Sequence, residues 1–199
     1  QTAGFRDTAA ASVTYDDDVT TASVALDNAA NGSTVTVVGS DIETVNVSGS
    51  IDATAATITI GLGADGTGAD AVTALNLSLS SDTTITLAGT NAEELKTFDA
   101  SGSTGGISLS TNRGPYSNDL ETVLTGSGDD VVYFDNDFGP NGGDGGGTVT
   151  IDTGAGNDDV SYAAYTNSAN TAASITLGEG NDVLKIVEQF VTFDNSEAN

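Results

Sequence analysis

Three segments of this 199-residue chain share one pattern: Thr125-Gly126-Ser127-Gly128-Asp129-Asp130-Val131-Val132, Thr153-Gly154-Ala155-Gly156-Asn157-Asp158-Asp159-Val160 and Leu177-Gly178-Glu179-Gly180-Asn181-Asp182-Val183-Leu184. Each reads Gly-x-Gly, then Asn or Asp, then Asp, with an aliphatic residue two places on. The chemistry open to this spacing is capture of a hard cation. Calcium takes six to eight oxygens at about 2.3–2.6 Å. A short segment offers several only where backbone carbonyls turn inward together, and glycine reaches the required dihedrals without steric penalty. Gly126, Gly128 and their counterparts supply the bend, and Asp130, Asp158 and Asp182 the charged oxygen. Asp129, Asn157 and Asn181 tolerate left-handed geometry and add a further oxygen. Asp152 leaves a strand just ahead of Thr153 and is a ligand for an adjoining turn. A weaker fourth copy, Gly66-Thr67-Gly68-Ala69-Asp70, contributes Asp70.

A full calcium shell needs two stacked turns, so each ion staples neighbouring rungs. Two carboxylates about 4 Å apart at an effective dielectric near 20 repel by roughly 4 kcal/mol. Stacked without a cation, such turns are unfavourable; with one, binding becomes folding free energy. One Gly-x-Gly-Asn-Asp also describes an ordinary hairpin turn. Three close copies, each followed by an aliphatic anchor, favour the metal.

Composition narrows the metal. The chain has no His and no Cys, which excludes zinc and soft-metal sites built on imidazole or thiolate. Asp and Glu number 29 against 4 Lys and Arg, a formal net charge of -25. Such a surface repels nucleic acid and anionic lipid and attracts cations. No apolar run is long enough to span a membrane. The start, Gln1-Thr2-Ala3-Gly4, has neither Met nor a signal-peptide pattern and reads as a mature protein or a piece of a longer one.

The elements that must position these turns are strands. Short runs such as Ser33-Thr34-Val35-Thr36-Val37-Val38, Thr57-Ile58-Thr59-Ile60 and Thr148-Val149-Thr150-Ile151 alternate apolar with small polar residues, the period of a strand with one buried face. A second repeat, Asp41-Ile42-Glu43-Thr44-Val45, returns as Glu94-Leu95-Lys96-Thr97-Phe98 and Asp119-Leu120-Glu121-Thr122-Val123. Internal repetition favours stacked rungs, with the aliphatic and apolar positions of each copy inward. The expected fold is all-β, a right-handed parallel β-helix or β-solenoid with calcium-binding Gly-Asp turns; a β-sandwich is the alternative. Intervals between key acids are 60, 28 and 24 residues (130-70, 158-130, 182-158). They suit wide rungs with loops of varying length. Residues 1–31 read as an N-terminal cap or the end of a preceding domain, 32–115 as Thr/Ala/Val-rich rungs and 116–199 as the calcium-binding segment.

The three turns resemble the glycine-rich nonapeptide repeats of RTX proteins, G-G-x-G-x-D-x-U-x, with Thr125, Thr153 or Leu177 at the first glycine. The repeat around Glu94-Leu95-Lys96-Thr97-Phe98-Asp99-Ala100-Ser101-Gly102 looks like strand-turns of RTX-related bacterial surface-layer proteins and large secreted adhesins. The resemblance implies calcium as cofactor, with ligands from carbonyls around Gly126, Gly128, Gly154, Gly156, Gly178 and Gly180 and from Asp130, Asp158 and Asp182. It also implies secretion to a Gram-negative cell surface and self-association into a lattice; cell-surface polysaccharide is a further expected partner, apart from the resemblance. An adhesin segment is the alternative, with Tyr116, Tyr133, Phe134, Phe138, Tyr162 and Tyr165 as a sugar-stacking set. An enzyme acting on acidic polysaccharide is disfavoured, since four basic residues and no His suit neither the substrate's charge nor the chemistry. Ice binding through the turns lacks a Thr ladder: their x positions read Thr67, Ser127, Ala155 and Glu179.

Overall fold

A computed structural model describes residues 2–7, 10–16, 18–52, 56–63, 72–88, 95–111, 120–135, 148–165 and 172–189. Among them are sixteen strands and no helix: β1 (Thr2–Arg6), β2 (Ala10–Thr14), β3 (Thr21–Ala30), β4 (Ser33–Val38), β5 (Thr44–Asp52), β6 (Ala56–Gly63), β7 (Ala74–Leu79), β8 (Thr83–Ala88), β9 (Thr97–Asp99), β10 (Ile107–Ser110), β11 (Thr122–Leu124), β12 (Val131–Asp135), β13 (Thr148–Asp152), β14 (Asp159–Tyr165), β15 (Ala172–Thr176) and β16 (Val183–Gln189). Odd-numbered strands form one eight-stranded sheet and even-numbered strands the other, each in chain order. Pairing is parallel throughout, as in β3 with β5 and β14 with β16. This is a β-solenoid, and a sandwich of antiparallel sheets is set aside.

Two-residue alternation sorts each strand's side chains between the interior and the outer face. The inward residues stack into columns from rung to rung. One column of the odd sheet reads Ala22, Val45, Leu75, Phe98, Val123 and Ile151, each 0% exposed. Its counterpart in the even sheet reads Ile58, Ile85, Leu109, Val132 and Val160, all buried. The second repeat is explained by this stacking. Ile42, Leu95 and Leu120 are buried, and Val45, Phe98 and Val123 share one column. Leu75, in a segment without the motif, fills the rung between Val45 and Phe98.

β1, β2 and β3 pair into these same sheets. The Gly-Asp segments link β11 to β12, β13 to β14 and β15 to β16, always from the odd sheet to the even one. Connections back to the odd sheet take up the irregular spacing, since the key acids lie 28 and 24 residues apart yet pair on adjacent rungs. In the last described rung Leu184 and Ile186 hold inward positions above Val160 and Tyr162 and are 43% and 55% exposed. No described helix is long and apolar enough to cross a membrane.

Candidate metal centre

Stacking of the odd-to-even turns sets the key acids in a column. The Asp130 backbone N–H donates to Asp158 Oδ1 at 2.8 Å, and that of Asp158 donates to Asp182 Oδ1 at 3.0 Å. Asp130 Oδ1 in turn accepts the Ile107 N–H at 2.6 Å. Each carboxylate thus reaches back one rung and satisfies a backbone donor there. Asp130 and Asp158 are 0% and 1% exposed, and the Oδ2 atom of each is buried without a hydrogen-bond partner. The Thr125 hydroxyl has two acceptors within reach, the Asp130 carboxylate and the Thr153 carbonyl at 3.1 Å. Burial pushes the Asp130 pKa from 3.8 up to about 6; the Thr125 hydroxyl and the Ile107 N–H offset part of the rise, and the charges of Asp158 and Asp129 add to it.

The glycines are demanded by close approach. A Cβ at Gly154 or Gly178 would overlap the carbonyl oxygen of Gly126 or Gly154 one rung below, and one at Gly156 or Gly180 that of Gly128 or Gly156. These four glycines have φ between 79° and 145°, a region costly for other residues. Gly126 and Gly128 are crowded too, by Ser103 and Gly106, but are absent from the positive-φ set. Their turn stacks on the differently shaped segment 100–106, so the first copy departs from its two successors.

The residues preceding the key acids form an outer ladder. Asp129 Oδ1 accepts the Asn157 backbone N–H at 2.7 Å and its Nδ2 at 3.0 Å; Asn157 Oδ1 accepts the same two groups of Asn181 at 3.1 and 3.3 Å. These oxygens join turns directly. Asp152 stands apart from the buried column: it shares an outer row with Leu124 and Thr176, and its Oδ1 accepts the Gly154 N–H at 3.2 Å. It opens on a surface groove with Gly126, Ser127 and Ala155. Asp70 lies outside the described residues.

The donor set is oxygen alone. Among the described residues no three acidic side chains converge in a metal-sized cluster, so a cation here relies largely on carbonyls. Gly126 and Gly154 carbonyls accept the Ala155 and Glu179 N–H groups at 2.9 and 3.0 Å, while no described backbone N–H is directed at those of Gly128 and Gly156. An oxygen-only donor set suits a hard cation rather than a soft one, and the buried Oδ2 atoms of Asp130 and Asp158 without a hydrogen-bond partner are the observation that bears on it.

Sequence reasoning passed over Thr125 and Thr153, which stand where the nonapeptide pattern has glycine. Both are buried, and their hydroxyls donate to the carbonyls of Thr153 and Leu177, each at 3.1 Å. Their recurrence 28 residues apart was the available signal. Phe134 and Tyr162, members of the sugar-stacking set, are buried and stack on each other with ring centroids 5.9 Å apart; Tyr116 and Phe138 lie outside the described residues. No family model, curated protein or solved structure matches this chain.

Proposed function

We propose that this chain is a calcium-stapled structural solenoid of a bacterial surface layer, its ions held between successive turns at 125–130, 153–158 and 177–182. The donor-free, buried Oδ2 atoms of Asp130 and Asp158 carry this reading. An ionised oxygen so placed costs several kcal/mol unless a counter-charge meets it. Lys185, the basic residue nearest Asp182 in sequence, is committed to Asp159 at 2.6 and 2.8 Å. Bound calcium supplies the missing charge and ties two rungs through shared oxygens. The chain's own part is to hold the carboxylates in register, through the N–H of the rung below.

The lattice role rests on charge and on the resemblance of the turns to RTX-type repeats. Copies carrying -25 each repel, and divalent cations lessen that repulsion.

Far-UV circular dichroism melts in calcium, magnesium and EDTA test the metal. Calcium raises the melting temperature; magnesium, which demands tight octahedral geometry and keeps its waters, does not. Unchanged melts in all three would defeat the reading. Electron microscopy after calcium addition tests the lattice: ordered sheets are expected, and monodisperse particles contradict assembly.

A further inference from the structure

Asn31 and Gly32 form the short connection from β3 to β4, and both reach Thr57 on the next rung. The Thr57 N–H donates to Asn31 Oδ1 at 3.0 Å, and the Gly32 N–H donates to the Thr57 carbonyl at 2.9 Å. A side-chain carboxamide thus stands in for a backbone carbonyl where β6 joins β4.

The same two residues are a reactive couple. An asparagine carboxamide is open to attack by the backbone nitrogen that follows it, and glycine hinders that attack least because it has no Cβ. The other described asparagines precede Ala29, Val47, Leu77, Asp158 and Asp182. Gly32 also has space around it: a Cβ there would meet nothing within 4 Å. The second Asn-Gly of the sequence, Asn141-Gly142, lies outside the described residues. In the reaction the Gly32 nitrogen gives up its proton to solvent, bonds to Asn31 Cγ and expels the amide as ammonia, leaving a cyclic succinimide. Water then opens the ring. Cleavage of the Cγ–N bond yields aspartate. Cleavage at the main-chain carbonyl of residue 31 yields isoaspartate, with the backbone rerouted through Cγ and longer by a methylene. The net change is water taken up and ammonia released, with no oxidant or reductant.

We propose that Asn31-Gly32 is a self-modification site gated by Thr57: closed while β6 pairs with β4, and open to succinimide formation when the two strands part. Attack requires the Gly32 nitrogen to release the proton that it shares with the Thr57 carbonyl, and the carboxamide to swing off the Thr57 N–H. Both bonds must break first, so the rate follows the population of the opened rung. The two products differ in what they allow afterwards. Aspartate keeps an oxygen where Asn31 Oδ1 accepts, and the rung closes again. Isoaspartate lengthens the connection and displaces that acceptor, which leaves the Thr57 N–H unmatched. Opening of this rung is thereby written into the covalent structure, and none of this depends on a bound ion.

Peptide mapping by mass spectrometry of the full chain, aged in mildly alkaline buffer with and without urea, tests this. Conversion at Asn31 should run roughly tenfold or more faster in urea than in native buffer. Ile58→Ala, which loosens β6 at a fully buried position, should convert faster than wild type in native buffer. Equal rates with and without urea would overturn the gating, and no conversion in urea would overturn the site itself. Refolded chain carrying isoaspartate at position 31 should melt below wild type, whereas Asn31→Asp should melt with it. An isoaspartate form that also melts with wild type would show that the bonds to Thr57 do not hold this rung.

Discussion

The Asp158 carboxylate receives the Asp130 backbone N–H at 2.8 Å across one rung, and its second oxygen has no donor. One side chain thus does two things: it closes a backbone bond and it leaves a buried oxygen without a partner. The first needs only an acceptor; the second is where we propose that a cation binds.

Asp158→Asn separates the two. Its amide oxygen still accepts the Asp130 N–H, but the charge is gone. In EDTA the variant should melt at or above the wild-type temperature, and in calcium below it. Asp158→Ala strands the Asp130 N–H as well, which costs about 1–3 kcal/mol, and should melt below wild type in both conditions. Thermal melts in EDTA and in calcium check the pattern; an Asn variant that tracks Ala in both would show that charge is not the issue.

Glycine at the turns is required by space as well as by dihedral. Gly32 and Gly154 have similar φ values, 77° and 79°. A Cβ at Gly32 meets nothing within 4 Å, whereas one at Gly154 overlaps the Gly126 carbonyl. Gly32→Ala should cost about 1–2 kcal/mol, the left-handed backbone penalty alone. Gly154→Ala should cost about 1–3 kcal/mol more, because the stacked turn must shift. Urea denaturation in calcium measures both, and equal costs would mean that the turns do not stack as described.

Asp130 sets a pH dependence. Its folded pKa, about 6, lies above the ordinary 3.8. Above about pH 6 the native carboxylate is ionised where burial resists charge, which destabilises the metal-free fold by about 3 kcal/mol for a shift of this size. That penalty shrinks as pH falls from 6 toward 3.8. In EDTA the melting temperature should therefore rise between pH 7.5 and pH 5. In calcium it should fall over the same interval, since protons compete with the cation. Paired melts across this range check the opposite slopes; parallel slopes would contradict the assignment.

Much of this architecture was legible in the residues. Alternation in Thr57-Ile58-Thr59-Ile60 marks one buried face, and the structure buries Ile58 and Ile60. The repeats at Asp41, Glu94 and Asp119 pointed to rungs because Val45, Phe98 and Val123 fill equivalent places. The rung through Leu75 was hidden: stacking requires only an apolar residue at that position, and it tolerates loss of the surrounding motif. At the turns, the key acids were marked by their glycines. Their reach back to the rung below was not legible, since a linear sequence does not say which backbone donor a carboxylate meets. The same limit applied to Asp129 and Asn157, whose oxygens link adjoining turns.

Calcium in the column of Asp130, Asp158 and Asp182 is a proposal that binding measurements decide. Equilibrium dialysis of the full chain against calcium, for wild type and for the Asp130→Asn/Asp158→Asn double variant, makes that measurement. Wild type should bind calcium, and the double variant should bind at least one ion fewer per chain. Equal binding by the two proteins, or none by wild type, would contradict the proposal.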